Sequence, residues 1–232
     1  MTAMPQFLEF ATRNDASAAL AGNLADTLRA AAGTQAQASV VVSGGTTPGP
    51  FLRMLSSLEV PWERVTVVPS DERWVPPEDT ASNESMIRRE LLVGPARFAR
   101  LLSLYRPVSD ADSALPAIVR DLAQVKRPFD ATVLGMGADG HTASLFPDAP
   151  GIDRTLHSSA DAVVQRLARL AQPRVSLTVR ALLDALEIDL LFFGPDKRAV
   201  YERAMQPGPA AELPVRAILR QSAVPVTVYW AA

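Results

Sequence analysis

Short apolar runs alternate with stretches of helical periodicity along this 232-residue chain. That pattern predicts an α/β fold: a doubly wound, mainly parallel sheet with helices on both faces. The runs are apolar at successive positions rather than at every second one, which marks strands covered on both sides. Glycine-rich turns follow several of these runs directly, where ligand loops emerge from the carboxyl ends of such strands. The length suits one domain with a sizeable core, and residues 1–232 are expected to form a single domain.

The first strand is expected at 7–10 and is weakly marked. Leu20, Leu24 and Leu28 then define one helix face, with Asn14 placed to cap its start and Gly33 its end. A strand at 39–42 follows. Phe51, Leu52, Leu55 and Leu58 give a second helix, with Thr47 as N-cap and Pro48 at the first helical position. After a strand at 65–68, Ile87 and Leu91 mark a helix that Ser82 caps. A weak strand at 101–104 precedes a helix carrying Leu115, Val119 and Leu122. Residues 131–134 form the next strand. Beyond Arg180, the leucines 182, 183 and 186 lead into a strand at 189–193, and a last strand is expected at 225–229. The breaks at 147–151 and 206–212 read as loops, not linkers, and no repeat or low-complexity tract occurs. The expected architecture is Rossmann-like.

Charge and composition exclude several classes of function. Lys and Arg number 23 against 25 Asp and Glu, without long runs of one sign, so neither a nucleic acid nor a membrane surface is an expected partner. The absence of cysteine removes disulfides, thiolate nucleophiles and cysteine-based zinc sites. No signal-peptide pattern and no apolar stretch of about 20 residues is present, so a cytoplasmic enzyme is expected. No cofactor, metal or obligate protein partner is expected.

Four loops carry the residues with chemical potential. Ser43, Gly44, Gly45, Thr46, Thr47 and Pro48 follow the 39–42 strand and open a helix, where free N–H groups and hydroxyls suit an anion. A plain glycine turn with a threonine cap explains this stretch equally well, and the lysine of a P-loop is missing. Ser70 to Pro77 follow the 65–68 strand, with Asn83 at the next helix start. There Arg73 offers a planar fork for phosphate or carboxylate, and Asp71 an acceptor for sugar hydroxyls, although a solvated surface pair would look the same.

The third loop follows the 131–134 strand and reads Gly135-Met136-Gly137-Ala138-Asp139-Gly140-His141. Glycines at this density bring backbone close to a ligand, and a histidine just beyond them can move protons near neutral pH. The stretch satisfies G-x-G-x-x-G, but Pro147, Pro150 and Gly151 stop any helix after barely two turns. Asp161 lies near the ribose-binding offset with no strand leading into it, so a dinucleotide site is not expected. The fourth loop is Gly194-Pro195-Asp196-Lys197, in which Lys197 opposes the dipole of the helix it begins unless an anion is present. Arg174 is a weaker anion candidate. His157 reads as a surface residue, and Ser144 lacks the Gly-x-Ser-x-Gly elbow of a nucleophile.

Residues 134–147 resemble the signature of 6-phosphogluconolactonases, which share a fold with glucosamine-6-phosphate deaminases. The loops at 43–48, 70–77 with Asn83, and 194–197 match the other blocks of that family in order, so the resemblance spans nearly the whole chain. In the deaminase branch a glutamate precedes the proline of the signature, where this chain has Phe146. Arg73 likewise stands where deaminases usually carry tyrosine. Both departures favour the lactonase branch. The resemblance implies hydrolysis of 6-phospho-D-glucono-1,5-lactone without metal or nucleotide. It implies that Gly44, Gly45, Thr46 and Lys197 hold the phosphate, with Ser43, Arg73, Gly137 and Arg174 as further substrate contacts. His141 would transfer the proton, Asp139 and Asp71 would orient it or the sugar, and glycine-loop N–H groups are candidate oxyanion donors.

Overall fold

The computed structural model describes residues 4–35 and 37–232. The amino-terminal half contains β1 (Gln6–Phe10), α1 (Arg13–Gln35), β2 (Ala38–Val42), α2 (Gly49–Ser56) and β3 (Val65–Pro69). It continues with β4 (Asp71–Arg73), α3 (Asn83–Glu90), β5 (Arg100–Leu101) and α4 (Ala111–Leu122). The other half contains β6 (Ala131–Gly135), α5 (Ile152–Leu156), β7 (Ala162–Gln165), β8 (Arg174–Leu177) and α6 (Val179–Leu182). β9 (Ile188–Phe193), α7 (Pro195–Met205), α8 (Arg216–Leu219) and β10 (Val226–Ala231) complete it.

Seven strands form one sheet in the order β1-β10-β9-β6-β2-β3-β5, and every pairing in it is parallel. β2 is buried along its whole length because both of its faces are covered. Alternation of side chains divides the core in two. Val40, Val42, Val67, Val133 and Leu191 face Leu20, Leu24 and Leu28 of α1, Phe51 and Leu55 of α2, and Ile87 of α3. Val41, Val68, Leu134, Leu190 and Val228 face the opposite layer, with Ile118, Leu122, Leu182 and Ile218. This is the doubly wound, mainly parallel arrangement that the apolar runs predict.

The winding reverses between β2 and β6. From β2 the chain builds outward through β3 to β5, then returns to β6 on the other side of β2. Loops after two neighbouring strands therefore diverge at that point and leave a crevice between them.

Several local expectations need correction. The N-cap of α1 is Thr12, whose Oγ1 accepts from the Asp15 N–H at 3.1 Å and donates to its carboxylate at 2.7 Å; Asn14 lies inside the helix. The helix also runs through Gly33 to Gln35, because Gly33 does not take the left-handed conformation that ends helices. Pro48, not Thr47, is the N-cap of α2, with no side-chain capping bond. Ser82 does cap α3, accepting from the Ser85 N–H at 3.1 Å. The strand expected at 101–104 is only Arg100–Leu101. Ala111, Ala114, Ile118 and Leu122 form the buried face of α4, while Leu115 and Val119 are half-buried. No expectation anticipates the second sheet, β4-β8-β7, whose antiparallel pairs stand over the carboxyl end of the large one.

Candidate active site

The carboxyl ends of β2 and β6, the short strand β4, the amino end of β8 and the start of α7 surround a cavity of about 350 Å³. Ser43, Gly44, Gly45, Thr46, Asp71, Arg73, Gly137, His141, Arg174 and Lys197 all line it. Asp139 does not, but it is bound to His141. The loops singled out from sequence thus meet at the switch point of the sheet.

The 43–47 loop presents backbone to the cavity. Among the described residues, no protein acceptor takes the N–H groups of Gly44, Gly45, Thr46 or Thr47. The loop precedes α2 rather than forming its first turn, so its own unpaired donors, more than the helix dipole, make it anion-ready. Gly44 is required sterically, since a Cβ there would collide with the side chain of Asn83. Asn83 Nδ2 donates to the Asp71 carbonyl at 2.8 Å, which leaves its buried Oδ1 without a partner among the described residues, an acceptor on the cavity wall.

Glu72 builds this wall from behind. It is fully buried, and its carboxylate accepts from the N–H groups of Arg73, Asn83 and Glu84 at 2.7 Å each and from Ser82 Oγ at 3.0 Å. Burial pushes its pKa up, opposed by those donors. It joins β4 to the start of α3 and so sets Asn83 against Gly44. Asp71 is also buried: Ser70 Oγ donates to Oδ1 at 2.9 Å and Ser144 Oγ to Oδ2 at 2.6 Å. Ser144 is buried and committed to Asp71 rather than to His141, which agrees with its rejection as a nucleophile.

The electrostatics favour an anion. Arg73 and Arg174 are direct cross-strand partners in the β4–β8 pair, and like charges so placed repel. Arg73 Nη1 donates to the Ala81 carbonyl at 2.5 Å and Arg174 Nη1 to that of Gln172 at 3.3 Å. Burial lowers the pKa of Arg174, and the charge of Arg73 lowers it further. Lys197, half-buried in the first turn of α7, is likewise lowered by burial. None of these three cations has a carboxylate within ion-pair distance among the described residues.

His141 lines the same cavity. Asp139 Oδ1 lies 2.5 Å from its Nδ1 and accepts its backbone N–H at 3.1 Å. Burial acts to raise the Asp139 pKa, but the hydrogen bond and charge of His141 prevail and bring it down to about 2. An ionised carboxylate only accepts, so it selects the imidazole tautomer protonated at Nδ1 and leaves Nε2 as the free acceptor. Gly137 makes the pair possible, because a Cβ there would collide with both partners. The Gly137 N–H bonds the His141 carbonyl at 2.9 Å and that of Gly140 bonds the Gly137 carbonyl at 3.0 Å. Those two groups are therefore not oxyanion donors, which corrects that part of the expectation. Ala143 takes a left-handed φ of 48°, rare for a residue with a side chain, in the turn between His141 and the buried Ser144.

No helix follows the glycine loop until α5 at Ile152, as the prolines imply and as a dinucleotide site would not permit. His157 is exposed at the end of α5, away from the cavity lining. The sequence alone does not point to Glu72, to Ser144 as a hydroxyl donor to Asp71, or to Arg169 beside Asp139. No residue-type signal marks these, since each acts through a partner distant in sequence.

Fold and cleft together define the class: a doubly wound α/β protein whose cavity sits at the reversal point of a parallel sheet. More specifically, residues 11–230 match the model of glucosamine-6-phosphate isomerases/6-phosphogluconolactonase, and the chain belongs to that family. A 6-phosphogluconolactonase of Mesorhizobium japonicum is 38% identical over 224 residues, covering 96% of this chain and 93% of its own. That of Pseudomonas aeruginosa is 40% identical over 213 residues, covering 91% and 88%. The crystal structure of a 6-phosphogluconolactonase from Shewanella baltica superposes with a TM-score of 0.96 at 34% identity, covering each chain completely. The chain is an enzyme of this family. No helix among the described residues is long and apolar enough to cross a membrane.

Proposed function

We propose that this chain hydrolyses 6-phospho-D-glucono-1,5-lactone to 6-phosphogluconate, the lactone-opening step of the oxidative pentose phosphate pathway, in the cytoplasm. Residues 1–232 act as one lactonase domain, a reading supported by relatives of that activity that match almost end to end. Phe146 in the signature, rather than a glutamate, supports the lactonase over the deaminase branch.

The observation that carries the mechanism is that the Asp139–His141 pair and three cations outside ion-pair distance of any carboxylate among the described residues share one cavity. The phosphate dianion rests on the N–H groups of Gly44, Gly45 and Thr46 and on Lys197, with Arg73 and Arg174 completing the charge balance. Ser43 and the Asn83 carbonyl face the sugar hydroxyls, and Asp71 keeps that wall in register. The lactone carbonyl then lies toward His141. Nε2 removes a proton from a water molecule attacking C1, the C1–oxygen double bond opens to an oxyanion, and the tetrahedral centre collapses with cleavage of the bond to the ring oxygen. The imidazolium returns its proton to that oxygen, which becomes the C5 hydroxyl. Asp139 stabilises the imidazolium between the two transfers. No cofactor enters this sequence.

The test is His141→Ala, assayed by hydrolysis of freshly generated phospholactone with the spontaneous rate subtracted. General acid–base groups contribute about 10²- to 10⁴-fold, and a loss of that order in kcat is expected. Wild-type turnover in a folded His141→Ala would remove His141 from the mechanism. Ammonia release from glucosamine 6-phosphate, measured in parallel, is expected to be absent.

A further inference from the structure

We propose that Arg169 is a positioning residue for the Asp139–His141 pair, holding both the carboxylate and the aromatic ring against which the imidazole packs. The inference rests on the proton-transfer reading of His141 and assigns a task to a residue outside the loops that carry the family resemblance.

Arg169 lies between β7 and β8 and grips Asp148 bidentately, with Nε to Oδ2 at 2.7 Å and Nη2 to Oδ1 at 3.0 Å. The same Nη2 is 3.6 Å from Asp139 Oδ2, the oxygen that His141 leaves free. Its guanidinium also stands over the Phe146 ring, 4.9 Å from the centroid, and that ring is 4.6 Å from the imidazole at 43°. One side chain thus reaches both neighbours that fix the attitude of His141. Oδ1 alone would let the carboxylate swing about its Cβ–Cγ bond, whereas a cation at Oδ2 restrains it. Asp148 fixes the plane of the guanidinium, and that hydrogen bond in turn lowers the pKa of Asp148.

Arg169 is not a further phosphate ligand. Its neighbour Leu170 lines the cavity while Arg169 does not, and two carboxylates already face its charge. The three charged side chains are each 40–51% exposed, so their ion pairs contribute little to stability. What Arg169 supplies is geometry, and its removal should leave the protein folded.

The experiment compares wild type, Arg169→Ala, Arg169→Lys, Asp139→Asn, the double variant and His141→Ala in the phospholactone assay at fixed salt. Displacing a reacting group by about 1 Å costs on the order of 10²-fold, and a smaller tilt of the imidazole sets the expectation for Arg169→Ala at roughly a tenfold loss of kcat. KM should stay within about twofold, since ground-state binding is untouched. Arg169→Lys should recover only part of the loss, because an ammonium cannot span Asp148 and Asp139 in the plane of the fork. In the Asp139→Asn background, adding Arg169→Ala should cost clearly less than in wild type, because only the contact with the Phe146 ring remains to be lost. Unchanged kcat in Arg169→Ala beside an inactive His141→Ala would overturn the proposal and leave the proton-transfer reading standing. An equal loss in both backgrounds, full rescue by lysine, or an effect confined to KM would overturn it as well. An active His141→Ala would defeat the underlying reading, and with it the role given to Arg169.

Discussion

Asp71 lines the cleft whereas Asp139 reaches it only through His141, and the two carboxylates have different partners. Asp139 faces an imidazole ring and a guanidinium, the surroundings that the proposed proton transfer at His141 would use. Asp71 faces two hydroxyls that donate to it permanently, so it braces Ser144 and the β4 wall. In the same cavity, Arg73, Arg174 and Lys197 gather positive charge in a partly buried space without ion-pair contacts among the described residues, an arrangement that a dianion would relieve. Lys197 can be tested apart from the chemistry. Lys197→Ala should raise KM for the phospholactone by about tenfold or more, as expected when a charge-assisted bond of roughly 1.5–3 kcal/mol is lost. Slow hydrolysis of the unphosphorylated lactone should barely change. Comparison of the two substrates at fixed ionic strength is the measurement. Equal harm to both would make Lys197 catalytic or structural, and harm to neither would make it an ordinary surface lysine.

At the scale of elements, the small sheet and α3 convert a parallel-sheet crevice into a walled cavity. Glu72 joins them: from the middle of β4 its carboxylate accepts the Arg73 N–H and supplies acceptors for the first N–H groups of α3. Glu72→Ala would leave those donors buried and unpaired, at a cost of about 3 kcal/mol. Urea unfolding should show that loss in the midpoint, and KM for the phospholactone should rise because Asn83 and Asp71 lose their support. Glu72→Gln keeps one acceptor oxygen and should lie between the two. A Glu72→Ala protein with wild-type stability would mean that the start of α3 is held by Ser82 alone.

Across the whole molecule, chemistry is gathered at the carboxyl ends of the strands while an unpaired acid lies near their other ends. Asp189, near the amino end of β9, is buried with Oδ2 unpartnered; burial first, and then the charge of Glu187, push its pKa from 3.8 to about 8. Glu187 itself is raised by burial, against the hydrogen bond from Thr27 of α1 at 2.8 Å. A carboxyl group with a raised folded-state pKa binds its proton more tightly in the native protein than in the unfolded chain. Its contribution is therefore fully present below the unfolded pKa of about 4 and is lost as pH rises through about 8. Asp189→Asn cannot ionise, so the stability of the variant relative to wild type should increase from pH 5 to pH 9. The wild-type slope attributable to this group is at most about 1.4 kcal/mol per pH unit. Denaturant unfolding at several pH values measures it. Parallel profiles for the two proteins would show that Asp189 is already ionised or is reached by water.

The sequence by itself determined the strand runs, the layering and the four loops of the cleft. These follow from local facts: continuous apolar stretches must be covered on both faces, and parallel strands carry their ligand loops at one end. His141, Lys197 and the 43–46 turn were legible for that reason. Helix boundaries are less legible, because Asn14, Thr47 and Gly33 have capping propensity, yet Thr12 and Pro48 stand at the helix starts and α1 runs through Gly33. Only the tertiary structure decided the rest. β4 and β8 are too short to announce themselves, and their pairing sets Arg73 opposite Arg174 across about a hundred residues of chain. The bonds of Ser144 to Asp71 and of Arg169 to Asp148 and Asp139 likewise join residues from separate loops. A periodic pattern encodes which face of an element is buried, and a motif encodes what a loop can do. Neither encodes which distant side chain comes within hydrogen-bond reach once the layers are packed, and that distance is what orients the chemistry.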